Sequence, residues 1–303
     1  MTTKHAPSSA KRRVGELRRA IEPHNRMYYV EAAPEIPDHE FDGLMQELAD
    51  LERDYPELQD EHSPTQKVGG EPISGFEKVQ HTQPMLSLAN VFSLEEVDAW
   101  ASRLDIEPPV AFAVEPKLDG ASLTVRYENG VLVDAVTRGD GQTGDRVLHN
   151  ARVIRNLPLA HTAVTEHGVM VDRLEVRGEV VILRDDFQAV NAALVAAGDD
   201  PLKNPRNGAA GALRQKDPAK CEARKLTFIA HGVAELQQSG SCRKHVIATY
   251  GQQVQLLRSL GFTTAPLGRY GMTLDEAFAY IEHLPRSIFT IGVETDGIVI
   301  KVD

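Results

Sequence analysis

Charged residues interrupt three β-like runs of this chain at every second position, and that alternation constrains the fold more than any other feature. Glu115 and Lys117 alternate with apolar neighbours in Val114-Glu115-Pro116-Lys117-Leu118-Asp119-Gly120. Glu175, Arg177 and Glu179 do the same in residues 174–180, and Glu294 and Asp296 precede the β-rich run 298–302. Successive side chains of a strand point to opposite faces, so each run carries its charges on one face. One such run is ordinary for a sheet with a solvated face. Three of them, together with a glycine-rich loop at 137–144, predict sheets whose polar faces build a site.

The rest of the chain supplies the frame. Val14, Leu17 and Ile21 recur at helical spacing, as do Phe41, Leu44, Met45, Leu48 and Leu51. Between them, Ala33-Pro34-Glu35-Ile36-Pro37-Asp38 breaks one helix and opens the next, with Asp38 as its N-cap. Residues 63–75 are polar and rich in proline and glycine, which predicts a linker. Beyond it, strands are expected at 111–117, 121–127, 131–137, 174–183, 226–234 and 298–302. Helices are expected at 93–104, 186–197 and 246–260, the first opened by a Ser93/Glu96 capping box. Glu128-Asn129-Gly130 marks a hairpin. Hairpins rather than regular βαβ repeats predict an α+β fold, with mainly antiparallel sheets and helices, after a small helical domain. The boundary is expected at 70/71, giving domains 1–70 and 71–303.

Lys117 is the residue that most needs an explanation, because an ammonium on a half-buried strand face loses its water. Glu115 and Asp119 can partner it. Three roles fit: a nucleophile, a phosphate contact or a structural salt bridge. A nucleophile needs the neutral amine, which neighbouring carboxylates oppose, so a metal or a cation such as Arg177 or Lys301 would have to offset them. The carboxylates could hold Mg²⁺. Neither a P-loop nor a dinucleotide fingerprint is present, so a nucleotide would be held by another kind of fold.

The formal net charge of −11 gives no support for a surface that binds DNA throughout, though it leaves room for a local basic track. No apolar run approaches the roughly 20 residues of a membrane span, and no secretory leader is expected from the polar, basic start. Cys221 and Cys242 lack zinc spacing, so no zinc is expected, and a reducing cytoplasm fits.

Lys117-Leu118-Asp119-Gly120 resembles motif I of the covalent nucleotidyltransferases, the superfamily of DNA ligases, RNA ligases and capping enzymes. Alone, K-x-D-G is weak. It is joined by Pro84-Met85-Leu86-Ser87-Leu88, Thr137-Arg138-Gly139-Asp140-Gly141, Leu174-Glu175-Val176-Arg177-Gly178-Glu179-Val180, Asn204-Pro205-Arg206-Asn207, Leu213-Arg214-Gln215 and Asp296-Gly297-Ile298-Val299-Ile300-Lys301-Val302. The order is similar to that in bacterial NAD⁺-dependent DNA ligases, and the resemblance covers essentially the whole chain. It implies an ATP-grasp-like nucleotidyltransferase core in which Lys117 attacks the α-phosphorus of NAD⁺, forms a phosphoramide with AMP and releases nicotinamide mononucleotide (NMN).

The resemblance also implies roles for other residues. Glu115 would contact the adenine amine, Asp119 would be the motif I aspartate, and Glu175 would be the motif III carboxylate near ribose and metal. Arg138 would lie near ribose and lysine, and Ser87 and Leu88 beside AMP. Arg206 and Arg214 would lie near phosphates or DNA, Lys301 near the nucleotide phosphate, and His231 against the adenine ring. Asp119, Glu175 and Asp296 would hold Mg²⁺ or Mn²⁺. In the helical domain, Tyr28, Tyr29, Asp38, Phe41 and Asp42 would recognise the NMN half. Tyr29 replaces the family's usual histidine, Phe41 its tyrosine, and Ala89 its frequent aspartate.

Asp303 directly follows motif IV, where the family continues into a motif V strand, an OB-fold, a four-cysteine zinc site, helix-hairpin-helix repeats and a BRCT domain. The resemblance therefore implies a monomeric adenylation fragment of a bacterial cytoplasmic, nucleoid-associated enzyme. It would bind NAD⁺, AMP or NMN, bind nicked DNA weakly, and at most adenylate itself. The competing readings are an ATP-dependent ligase or capping-type enzyme, which the helical module opposes, and a catalytically silent nucleotide-binding domain.

Overall fold

A computed structural model describes residues 6–29, 38–58, 63, 65, 75–107, 109–161, 170–239 and 247–303. Within these, residues 22–29, 38–39, 41–42, 170, 239 and 285–286 are described by their backbone alone. In chain order the helices are α1 (Ser8–Tyr29), α2 (Asp38–Asp54), α3 (Leu94–Ala101), α4 (Leu148–Ala151), α5 (Arg184–Ala197), α6 (Pro205–Leu213), α7 (Pro218–Glu222), α8 (Tyr250–Ser259) and α9 (Leu274–Ile288). The strands are β1 (Lys78–Gln80), β2 (Phe112–Leu118), β3 (Ala121–Glu128), β4 (Val131–Thr137), β5 (Thr143–Asp145), β6 (Met170–Val181), β7 (Thr227–Ser239), β8 (Arg269–Met272) and β9 (Thr295–Val302). The chain divides into two compact units, 1–87 with 138–146, and 88–137 with 147–303.

In the first unit, Val14, Leu17 and Ile21 of α1 close on Leu48 of α2, with Leu44, Met45, Leu51 and Leu58 around them. These are the residues whose spacing predicts amphipathic helices. An acid knot anchors the pair: Arg18 donates to Glu52 Oε1 at 2.7 Å and to the Leu58 carbonyl at 2.6 Å, and Ser63 Oγ donates to Glu52 at 2.6 Å. A short ladder pairs β1 with β5.

The second unit holds two antiparallel sheets, ordered β4-β3-β6-β7 and β8-β2-β9. The β3–β4 hairpin turns through Asn129 at φ 50° and Gly130 at φ 80°. A two-residue turn with both φ values positive matches the twist of the flanking strands, which is why Asn-Gly occurs there. In the second sheet, Phe112 and Val114 of β2 pack with Ile298 and Ile300 of β9 against Ala277 and Leu284 of α9. The alternate residues of β2, Glu115 and Lys117, therefore project from the face opposite α9. Val181, Ile229 and Val293 pack together with Leu118, Leu183 and Ile291, joining elements of both sheets. The polar face of β2 is thus fixed by the apolar face that α9 covers.

Candidate active site

Lys117 lies opposite Gly297 in the β2–β9 ladder, and the next pair is Leu118 with Thr295, so Asp296 occupies a bulge. A bulge re-aims side chains locally, and here the Asp296 carboxylate contacts the Lys117 ammonium. Simple alternation puts Glu294 and Asp296 on one face. The bulge separates them instead, and Glu294 pairs with Arg184 Nε at 2.7 Å.

The turn after Lys117 is shaped by close approach. A Cβ on Gly120 would lie 2.4 Å from the Val180 carbonyl oxygen and 2.9 Å from Glu179 Cγ, so only glycine fits. The Asp119 backbone N–H donates to the Glu294 carbonyl at 2.9 Å, and its carboxylate accepts from Arg206 Nη1 at 2.7 Å. Arg206 sits in the first turn of α6, which Asn204 caps by accepting from Asn207 N at 2.7 Å. Arg214 is the C-cap of the same helix.

Two residues before Lys117 on the same face, Glu115 is buried and held by three donors. It accepts from the hydroxyls of Tyr250 at 2.8 Å and Tyr270 at 3.0 Å, and from Lys301 Nζ at 2.9 Å. Lys301 lies opposite Ala113, four residues along β9 from the partner of Lys117. That separation is about 13 Å of strand. Lys301 thus belongs to the Glu115 end of the face, whereas the sequence expectation placed it near the phosphate. Burial pulls its pKa down, against the opposing effect of Glu115.

His231 is on β7 between Ala230, which pairs with Gly178, and Gly232, which pairs with Arg177, so it too occupies a bulge. Desolvation, with Lys301 as the next cause, pulls its pKa down to about 4. The ring is therefore neutral at physiological pH.

The β6 carboxylates divide in an unexpected way. Asp134, Arg126 and Glu175 lie side by side across β4, β3 and β6. Glu175 is fully buried and bonded to Arg126 Nε at 2.8 Å, and Arg126 also lies 3.7 Å from Asp134. That trio is an interior ion cluster. Glu179 is half-buried, accepts from Ser122 Oγ at 2.9 Å and lies against Gly120. The carboxylate of this strand that adjoins the Lys117 turn is therefore Glu179, which the sequence reading passed over for Glu175. Its signal was visible: Glu179 shares the face of Glu175 and sits next to the residue that pairs with Ala121.

The expected metal ligands are not brought together either. Asp119 engages Arg206, Asp296 engages Lys117 and Glu175 engages Arg126. Among the described residues, no group of three His, Cys, Asp or Glu could hold an ion.

The other expected site residues, Leu88 apart, fall in the first unit. Arg138 Nε donates to the Met85 carbonyl at 3.3 Å, and its own carbonyl lies 3.1 Å from His81 Nε2. Ser87 is exposed and ends that unit, and Leu88, also exposed, begins the second. The backbones of Tyr28, Tyr29, Asp38, Phe41 and Asp42 lie in α1 and α2, but their side chains are outside the described residues.

The model for the NAD-dependent DNA ligase adenylation domain matches residues 73–303. The chain belongs to that family. A second model, the DNA ligase-like N-terminal NAD⁺-binding domain, matches residues 7–69. Proteins named DNA ligase are similar throughout. One from Nitratidesulfovibrio vulgaris is 43% identical over 300 residues, 98% of this chain and 37% of that protein. One from Acinetobacter baylyi is 41% identical over 301 residues, 98% of this chain and 43% of that protein. One from Roseiflexus sp. is 43% identical over 307 residues, 96% of this chain and 42% of that protein. The chain thus spans about two fifths of the length of these relatives. In this adenylation-domain family member, motif I and motif IV are neighbouring strands of one sheet, and the bulge in motif IV joins its aspartate to the motif I lysine. Among the described residues, no helix is long and apolar enough to cross a membrane.

Proposed function

We propose that this chain forms a covalent lysine–AMP adduct from NAD⁺. Lys117 Nζ attacks the α-phosphorus, a nitrogen–phosphorus bond forms, the bond from that phosphorus to the bridging oxygen breaks, and NMN leaves. Attack requires Lys117 to lose a proton; the Asp296 carboxylate, which favours the ammonium form at rest, is the acceptor in contact with it, and Arg206 beside the turn is the cation that offsets that carboxylate. The Lys117–Asp296 contact is the observation that carries the reading. Arg206, held on Asp119 beside the Lys117 turn, is the cation placed to meet charge developing on the non-bridging oxygens. Glu179 supports the turn from β6 and takes the role that the family resemblance implied for Glu175.

The base end follows from Glu115 and Lys301. They present an acceptor and a donor side by side, 2.9 Å apart. Adenine offers the complementary pair along one edge, the exocyclic amine as donor and N1 as acceptor. The neutral His231 ring supplies a stacking face. These residues and the strands that carry them do the binding and positioning, and no metal ligand is assigned to them. The family match over residues 7–69 supports NAD⁺ rather than ATP as the AMP donor, with residues 1–70 as the domain that receives the NMN half. In the longer protein we infer that AMP passes to the 5′-phosphate at a nick and that the 3′-hydroxyl then displaces it.

Incubation with NAD⁺ is expected to add one AMP to the protein, read by intact mass, with ATP giving no adduct. Lys117→Ala should remain unlabelled. Equal labelling of both proteins would remove Lys117 from the mechanism, and labelling by ATP alone would overturn the choice of donor.

A further inference from the structure

Tyr250 has no counterpart in the motifs, yet its hydroxyl touches each residue assigned to the base. Its oxygen lies 2.8 Å from Glu115 Oε2, 2.6 Å from Lys301 Nζ and 2.7 Å from the His231 carbonyl oxygen. Lys301 Nζ also stands over the Tyr250 ring, 3.9 Å from its centroid. Together with the direct Lys301–Glu115 contact at 2.9 Å, this closes a triangle of charge-assisted bonds. We propose that Tyr250 is a positioning residue for purine recognition: it fixes the order of acceptor and donor, Glu115 then Lys301, and so selects adenine over a 6-oxo purine.

Lysine has only donors and an ionised glutamate only acceptors. A flexible lysine stem would let the ammonium swing past the carboxylate, and either order would then meet the base. The phenol oxygen accepts from Lys301, and its single proton is shared between Glu115 and the His231 carbonyl. The π face holds the ammonium from a second direction. Burial, with Glu115 as the next cause, raises the Tyr250 pKa, so the hydroxyl stays protonated and can always donate. A 6-oxo purine reverses the pattern of adenine, placing an oxygen against Glu115 and an N–H against Lys301. Both contacts are then mismatched, and unpaired buried polar groups make such a mismatch costly.

The support behind Tyr250 is rigid. It is the first residue of α8, after a reciprocal capping box between Thr249 and Gln252. The next residue, Gly251, donates its N–H to the Asp303 carboxylate, and Asp303 N is bound to the Ala111 carbonyl at 2.8 Å. The Tyr270 ring lies 5.9 Å from that of Tyr250, and its hydroxyl holds the other oxygen of Glu115. Tyr270 holds Glu115, whereas Lys301 bonds to Glu115 and Tyr250, so Tyr270 serves as the comparison.

The inference rests on the proposed adenylation of Lys117, and the experiment keeps the two apart. The rate of adduct formation is measured against dinucleotide concentration with NAD⁺ and with nicotinamide hypoxanthine dinucleotide, for the wild type, Tyr250→Phe and Tyr270→Phe. Phenylalanine keeps the ring and removes only the hydroxyl. For Tyr250→Phe, half-saturation by NAD⁺ should rise about tenfold with the maximal rate nearly unchanged, the size expected for one hydrogen bond to a charged group. Its preference for NAD⁺ over the hypoxanthine dinucleotide should fall by about the same factor, and Tyr270→Phe should lose less of it. A wild-type protein that forms no adduct on Lys117 would sink the adenylation reading itself. With the wild type active, an unchanged preference in Tyr250→Phe would overturn the inference. So would an effect seen only as a smaller active fraction and a lower melting temperature, since that marks a purely structural tyrosine.

Discussion

Replacing Gly120 by alanine adds one methyl group at the tightest point of the Lys117 turn. The added Cβ would meet the Val180 carbonyl oxygen at 2.4 Å, Glu179 Cγ at 2.9 Å and Val181 Cγ1 at 2.9 Å. Ordinary contact is 3.4–4 Å, so the turn and β6 must separate by about 1 Å. The nearest obstacle is backbone in the middle of a four-stranded sheet, which cannot rotate away as a side-chain tip would. Overpacking of this kind costs about 1–3 kcal/mol. The displacement falls on the residues proposed to set the attack: Lys117, Asp119 with its Arg206 contact, and Glu179. A misplacement of about 1 Å at a reacting centre can cost on the order of 100-fold in rate. Gly120→Ala should therefore slow adduct formation from NAD⁺ about 100-fold under conditions where urea titration shows the protein still folded. Gly211→Ala is the control, since its Cβ would meet nothing within 4 Å and the site lies within α6. There alanine should raise stability by about 0.5–1 kcal/mol and leave the rate alone. A wild-type rate in Gly120→Ala, or a loss fully accounted for by unfolded protein, would refute the link between this close approach and the position of Lys117.

The two β6 carboxylates should separate by assay. Glu175→Ala leaves Arg126 buried without its closest acid and should destabilise the protein by about 3 kcal/mol in denaturant titration, whereas Glu179→Gln should keep wild-type stability and slow adduct formation. The opposite pattern would restore Glu175 to the site. His231 gives a pH signature in stability: the unfolded imidazole takes up a proton near the ordinary 6.5, and the folded one only near 4. Between these values the unfolded state binds more protons, so stability falls as pH drops from about 6.5 towards 4. His231→Phe should flatten that part of the profile, and an unchanged slope would refute the assignment.

Much of the architecture was legible because it depends on local patterns. The predicted run 131–137 is β4 as observed, and the Asn129-Gly130 signal placed the hairpin. Phe112, Val114, Ile298 and Ile300 share the face against α9 because alternation is a local property of the strand. β8 and α9 were not anticipated, although the Thr273/Glu276 capping box that opens α9 is a readable signal. The short β1 and β5 gave no pattern long enough to register.

The site was legible by residue type and less so by partner. Alternation along the chain drew attention to Lys117, Glu115, Asp296 and Lys301, and the family resemblance added Arg206 and His231 as expected site residues. Sequence alone could not decide who meets whom. Register sets Lys301 beside Glu115 and remote from Lys117, and a bulge, which no period of two anticipates, turns Asp296 to Lys117. Neighbouring strands bury Glu175 on Arg126 and leave Glu179 at the turn. Tyr250, 135 residues from Glu115 along the chain, entered the site only when α8 came to rest beside β7 and β8, which brings its hydroxyl to Glu115 and Lys301. The periodicity of a strand fixes which face a side chain takes, but pairing between distant strands fixes its neighbours, and a carboxylate's chemistry belongs to those neighbours.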